Sequence, residues 1–347
     1  MRLSTYEIIL PLIDGKEEEI KDRTLLINGL YGAMDILPKE EADKLQKALK
    51  EKGTDKDTII EISTNHSNYQ RIKIREAYKS QYGTDLIDAF KSEFSGHFKD
   101  TLIALYYHPI DFDCLSLRAA MKGLGTDEDT LIEIISTRPN YILKKIIERY
   151  PQITEGRDLI NDVKSETSGS FRRLLISLLE TQRSENNEPD INECNNIAKE
   201  LYEAGEKRWG TDDSVFNKIF ANKSPIEIAF ISKAYHKLTG HTMLQAISNE
   251  FSGDIKKLLI AVVYAVISPS EFFATKVNKA VKGLGTKDKL LIRILVSRAE
   301  IDMKYIKQYY KQIYKKDMVE DIKGDTSGDY RKLLVKLANW NSSENNK

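Results

Sequence analysis

Apolar positions along the chain recur at helical spacing, and short polar stretches break them at regular intervals. Between residues 168 and 180, Leu174, Leu175, Leu178 and Leu179 stand one and four apart, which places them on one inward face of a helix. The same pattern predicts helices over 110–121, 127–137, 140–150, 155–164 and 168–180. Thr126 with Asp129 three residues on predicts a helix N-cap of the capping-box type. Alternating apolar and polar runs do not flank hairpin dipeptides, so strands are not expected. The predicted fold class is all-α.

The helical pattern is copied four times. Gly-Thr-Asp occurs at Gly53 to Asp55, Gly125 to Asp127 and Gly210 to Asp212, and Gly285, Thr286 and Lys287 make a fourth copy. An acid followed two positions later by Ser-Gly recurs at Glu93, Glu166, Glu250 and Asp325. The threonine-to-acid separations are 39, 40, 39 and 39 residues, and a leucine follows each Ser-Gly at the same distance: Leu102, Leu175, Leu259 and Leu334.

The second copy reads MKGLGTDEDTLIEIISTR from Met121 to Arg138. Its Gly-x-Gly turn follows an apolar helix end, and two glycines allow positive φ and let successive carbonyls face one point. Such a point suits a hard cation. Calcium takes about six to eight oxygen ligands, often main-chain carbonyls with one bidentate carboxylate, and the distant acid of the same repeat would supply the carboxylate.

These motifs closely resemble the annexin family over about residues 37 to 338. GEKRWGTDD in the third copy and KGDTSGDY in the fourth are also similar to the versions annexins show there. The resemblance implies four homologous five-helix repeats in a curved array. The divisions are a leader at 1–36, repeats at 37–108 and 109–180, a linker at 181–192, repeats at 193–268 and 269–338, and a tail at 339–347. The linker TQRSENNEPDIN is polar, carries Pro189, and separates the first two repeats from the last two along the chain.

Carried over residue by residue, the resemblance implies three calcium sites. Carbonyls of Met121, Gly123 and Gly125 would join Glu166 in repeat 2. Gly205, Arg208 and Gly210 would join Glu250 in repeat 3, whose loop is one residue longer. Val281, Gly283 and Gly285 would join Asp325 in repeat 4. The alternative is that the glycines merely end one helix and each acid caps the next. Repeat 1 departs from the pattern: Glu51 stands where the first glycine should, and Lys56 replaces an acid after Asp55. A side chain at positive φ is strained and a nearby cation opposes a divalent one, so the site around Gly53 and Glu93 is expected to be weak or absent. Trp209, in the repeat 3 loop, suits a membrane interface, with burial in the repeat's own core as its alternative. Lys122, Arg208 and Lys282 flank the loops and could meet phosphates. Asp113, Glu133, Arg138 and Arg293 match the family's polar centre, as structural salt bridges or as an ion path.

Composition adds limits. The 347 residues hold 53 Lys+Arg and 53 Asp+Glu, so no net field draws the chain to nucleic acid or to an anionic membrane unaided. Two cysteines, Cys114 and Cys194, give no disulfide framework and favour a cytoplasmic setting. The N-terminus shows no signal peptide, and the longest apolar run, 258–267, falls short of the roughly 20 residues that span a bilayer. The leader is read as a strap packed through Ile8, Ile9, Leu25, Leu26 and Ile27, with Ser4 and Thr5 exposed. Enzyme readings fail: the glycine turn follows a helix and lacks Gly-Lys-Ser/Thr, and the five histidines show no triad or metalloprotease spacing. The expected activity is calcium-dependent binding to anionic phospholipid, with peripheral membrane association when calcium rises. The alternative is a helical scaffold for cytoskeletal or other protein partners through the leader, with calcium vestigial.

Overall fold

The computed structural model describes residues 36–340. The strap contacts expected of Ile8, Ile9, Leu25, Leu26 and Ile27, the hydroxyls of Ser4 and Thr5, and residues 341–347 of the tail lie outside the described residues.

Twenty helices and no strand occur among the described residues, five helices to a repeat. Repeat 1 holds α1 (Pro38–Lys50), α2 (Lys56–Asn65), α3 (Asn68–Tyr82), α4 (Leu86–Glu93) and α5 (Gly96–Leu105). Repeat 2 holds α6 (Pro109–Ala120), α7 (Glu128–Thr137), α8 (Asn140–Ile153), α9 (Leu159–Glu166) and α10 (Gly169–Leu179). Repeat 3 holds α11 (Ile191–Ala204), α12 (Asp213–Asn222), α13 (Pro225–Thr239), α14 (Met243–Glu250) and α15 (Gly253–Ile267). Repeat 4 holds α16 (Pro269–Val281), α17 (Asp288–Arg298), α18 (Met303–Tyr314), α19 (Met318–Asp325) and α20 (Gly328–Ala338).

Two details of repeat 2 depart from the sequence reading. Helix α9 starts at Leu159, four residues later than expected, because Glu155 and Gly156 turn through φ 61 and 79. Asp158 then caps it, accepting the Asn161 N–H at 2.8 Å. The cap of α7 is Asp127 rather than Thr126. Its carboxylate accepts the Thr130 N–H at 3.1 Å and the Thr130 hydroxyl at 2.6 Å, which satisfies a first-turn N–H that has no helical partner. The Thr126 hydroxyl is engaged elsewhere.

The described residues divide into two compact units. One is Ile110–Pro269, repeats 2 and 3; the other consists of the described parts of Lys21–Pro109 and Ser270–Lys347, repeats 1 and 4. The polar linker therefore runs inside a unit, where the Ser184 N–H donates to the Asn222 carbonyl at 2.8 Å and Arg183 to the Phe220 carbonyl at 2.7 Å.

Each unit is built by exchange of the same two helices. In the first, α7 packs on α15 and α10 on α12; in the second, α2 packs on α20 and α5 on α17. Apolar faces drive this. Leu174, Leu175, Leu178 and Leu179 of α10 are all buried, as are Leu258, Leu259, Val262 and Val266 of α15. Full burial of each such side chain contributes about 1.5 to 3 kcal/mol. The second unit is also joined by a buried ion pair, Arg71 to Glu300 at 2.6 Å, and Glu300 accepts the first N–H of α3, from Asn68, at 3.0 Å. No helix among the described residues is long and apolar enough to cross a membrane.

Candidate metal-binding loops

Each repeat leaves its first helix through a loop that returns to the same atom type. The carbonyls of Ala48, Ala120, Ala204 and Ala280 accept the N–H groups of Asp55, Asp127, Asp212 and Lys287, at 3.0, 2.9, 2.9 and 2.8 Å. The helix end thus has one orphan carbonyl satisfied, and the residues between are extruded as a closed turn. Repeat 3 fits one extra residue into that turn.

The threonine hydroxyl then ties the turn to the acid. Thr126 donates to the Glu166 carboxylate and main-chain carbonyl, both at 3.2 Å. Thr211 reaches the Glu250 carboxylate at 2.5 Å and its carbonyl at 3.4 Å. Thr286 bonds the Asp325 carbonyl at 2.8 Å, the shorter side chain staying clear. Thr54 hydrogen-bonds the Glu93 carboxylate. All four acids are the last residues of eight-residue helices, so local helix length fixes their position. The N-cap position of the next helix is held by Ser95, Ser168, Ser252 and Ser327 rather than by the acids, and no side chain caps it there.

Backbone conformation explains the glycines at two places. Gly123 and Gly125 take φ 111 and 84, and Gly283 and Gly285 take φ 149 and 81, values L side chains adopt only under strain. A third kind of glycine lies in repeat 3. Gly205 ends α11 at φ −118 and ψ −106, and a Cβ there would meet Glu250 Cγ at 3.4 Å and the Phe216 ring at 3.3 Å. Glu250 therefore lies against Gly205. The Gly205 carbonyl already accepts the Arg208 N–H at 3.0 Å, leaving its second lone pair. The neighbouring Glu206 is held by the Tyr235 hydroxyl and by His241 Nδ1, each at 2.7 Å. Burial and that bond to Glu206 push the Tyr235 hydroxyl well above its ordinary range.

The donor set fits a hard cation. Each loop offers main-chain carbonyls and one carboxylate, and among the described residues no group of three or more His, Cys, Asp or Glu side chains could hold a metal instead. In repeat 4, Asp325 Oδ2 is buried with no hydrogen-bond partner, beside a cleft of about 330 Å³ lined in part by Val281, Lys282, Asp321 and Asp325. A buried carboxylate oxygen without a donor is costly, and a cation at that point would satisfy it.

Repeat 1 differs as its sequence suggested, but by another route. Glu51 does not take positive φ; it sits at φ −64 and ψ 139, and the left-handed turn passes to Gly53 (φ 95) and Thr54 (φ 51). The expected strain at Glu51 is thus avoided by a changed loop path.

The loop tips carry residues the sequence reading passed over. Leu124 and Leu284, each between two glycines, are fully exposed, as is Trp209 in repeat 3. Exposure of Trp209 rules out burial in the core of its own repeat. A large apolar side chain in full contact with water between paired glycines was legible in GLG, but only as a turn. Lys122, Arg208 and Lys282 are exposed beside these tips, Arg208 lying 3.8 Å from Asp212.

Of the polar residues expected at the centre, Arg138 forms a two-pronged pair with Asp113 at 2.8 Å in each arm, inside the first unit. Glu133 and Arg293 are buried on α7 and α17, in different units. Both cysteines are buried, and burial pushes the Cys114 thiol up to about 12 and the Cys194 thiol to about 11, so neither is a ready nucleophile.

Comparison with known proteins agrees with the four-repeat helical fold. The annexin family model matches residues 40–105, 112–178, 197–262 and 272–337. The chain is 43% identical to mouse annexin A13 over 297 residues, covering 86% of this chain and 93% of that protein. It is 43% identical to horse annexin A1 over 301 residues, 87% of each. Among solved structures, annexin III superposes with a TM-score of 0.85 at 38% identity, covering 88% of this chain and 95% of that one. Calcium-bound annexin (Sm)1 gives 0.80 at 33%, covering 88% and 91%. Four matched repeats, twenty helices in fives and this degree of identity place the chain in the annexin family.

Proposed function

We propose that the chain binds anionic phospholipid surfaces through calcium ions held in the loops of repeats 2, 3 and 4, and that it is a peripheral rather than a catalytic protein. The observation that carries this reading is the threonine-held acid beside a turn of carbonyls whose apolar tip stands in water. A solved relative bound to calcium supports the choice of ion. Carbonyls of Met121, Gly123 and Gly125 with Glu166 would hold one ion. Gly205, Arg208 and Gly210 with Glu250 would hold a second, and Val281, Gly283 and Gly285 with Asp325 a third.

A bound calcium ion would supply positive charge and open positions for lipid phosphate oxygens. The chain's own residues do the rest. One carboxylate per loop leaves most of the ion's charge uncompensated, so affinity without lipid is low and lipid tightens it. Leu124, Trp209 and Leu284 enter the interfacial layer beside the ion, removing apolar surface from water. Several loops acting together raise the avidity of a protein that has no net charge. The same reading makes the protein cytoplasmic until calcium rises. Sedimentation with vesicles of phosphatidylserine and phosphatidylcholine at physiological ionic strength, where surface charges are screened, tests it: the protein pellets in calcium and stays in solution with chelator. Equal pelleting in both conditions contradicts it.

A further inference from the structure

The repeat 1 loop shares the alanine closure and the threonine tie of the other three but not their tip. Glu51 and Lys52 take the places held by Gly123 and Leu124, Arg208 and Trp209, and Gly283 and Leu284. The Glu51 carbonyl accepts the Thr54 N–H at 2.8 Å, whereas among the described residues the Gly123 and Gly283 carbonyls accept no main-chain N–H. Glu93 is exposed, while Glu166, Glu250 and Asp325 are half-buried. Lys50 and Lys52 are exposed and enter no ion pair among the described residues; Lys50 matches Lys122, Lys207 and Lys282, so Lys52 is the added charge, and Lys56 is taken by Asp329 at 3.1 Å.

These differences point the same way. An exposed carboxylate makes a poor cage, and Lys52, which has no counterpart in the other loops, adds a second ammonium group to the one at Lys50 and repels a divalent ion. The same two groups complement phosphate. An ammonium is a compact cation with three donors, and near an anionic surface its attraction needs no bridging metal.

We infer that the repeat 1 loop meets the phosphate oxygens of an anionic lipid surface directly, through Lys50 and Lys52, with no divalent ion between them. This deepens the lipid-binding reading above and rests on it. Three loops then respond to calcium and the fourth makes a constant, salt-sensitive contact.

The test uses the full chain with vesicles of phosphatidylserine and phosphatidylcholine, and phosphatidylcholine alone as control. In chelator at low ionic strength, the wild type retains weak binding to the anionic vesicles only, and the charge reversal K50E/K52E abolishes it. At saturating calcium, K50A/K52A lowers affinity for the anionic vesicles by about thirtyfold, while the number of calcium ions bound per molecule stays the same. Absence of wild-type binding in chelator, or equal binding by K50E/K52E, overturns the inference. Loss of one calcium per molecule in the lysine variant also overturns it, by assigning a metal to this loop. Failure of the broader reading looks different: calcium would add nothing to vesicle binding, and the chelator comparison would still decide the lysine contact.

Discussion

The loops of repeats 2 and 1 leave their helices by the same hydrogen bond, Asp127 to Ala120 and Asp55 to Ala48, and both reach a threonine-held glutamate. They part at two residues. Gly123 and Leu124 give positive φ and an apolar tip; Glu51 and Lys52 give an extended backbone and a charged one. Closure of the loop is thus a property of the repeat, and the chemistry its tip presents is a property of the copy.

The comparison can be broken at the acid first. Removing the carboxylate charge in E166Q/D325N leaves the closures intact but takes away the one carboxylate that the proposed calcium sites of repeats 2 and 4 each use. The calcium concentration needed for vesicle binding then rises on the order of a hundredfold, with helical circular dichroism unchanged. An unchanged calcium requirement would remove Glu166 and Asp325 from the ligand set.

The tips come next. L124D/L284D takes from the interface two side chains whose burial contributes about 1.5 to 3 kcal/mol each. Vesicle affinity at saturating calcium falls at least about tenfold, and the melting temperature in solution does not move, since both residues are already fully exposed. A drop in melting temperature would mean that the tips support the fold instead.

Backbone strain should act more gently. Gly123→Ala forces a Cβ onto φ 111, with open space around it, so the cost is conformational alone, about 1 kcal/mol. That corresponds to a fewfold loss of calcium affinity in repeat 2, read by calorimetry with vesicles, and the corresponding substitution Glu51→Ala in repeat 1 has no such effect. The smallest effect concerns the cap. Lys287 leaves α17 without the side-chain cap that Asp127 gives α7. Lys287→Asp supplies it and raises stability to thermal unfolding by up to about 1 kcal/mol.

Much of this was legible in the sequence because the repeat is an internal control. The Gly-Thr pair after the first helix of each repeat and the acid at near-constant separation from it announced the pairing that the threonine hydroxyls make. The helical period of Leu174 to Leu179 announced the buried face of α10. Other features depend on tertiary context. Nothing local says that repeat 2 packs with repeat 3 across a polar linker, because the exchange of α7, α10, α12 and α15 is set by which apolar faces meet. Thr126 and Asp127 are both good caps, and only the position of Glu166 decides which is drawn away. Leu124 looked like a turn residue because hydropathy alone does not report exposure. The path around Glu51 was misjudged for a related reason: a loop with a non-glycine residue can shift its positive φ to the next positions, here Gly53 and Thr54.

The most direct measurement is a crystal structure of the full chain grown with calcium. Ions are expected at about 2.3 to 2.6 Å from the carbonyls and acids named for repeats 2, 3 and 4, with none in repeat 1. Empty turns in those three repeats, or Glu166, Glu250 and Asp325 facing away from them, would contradict the account.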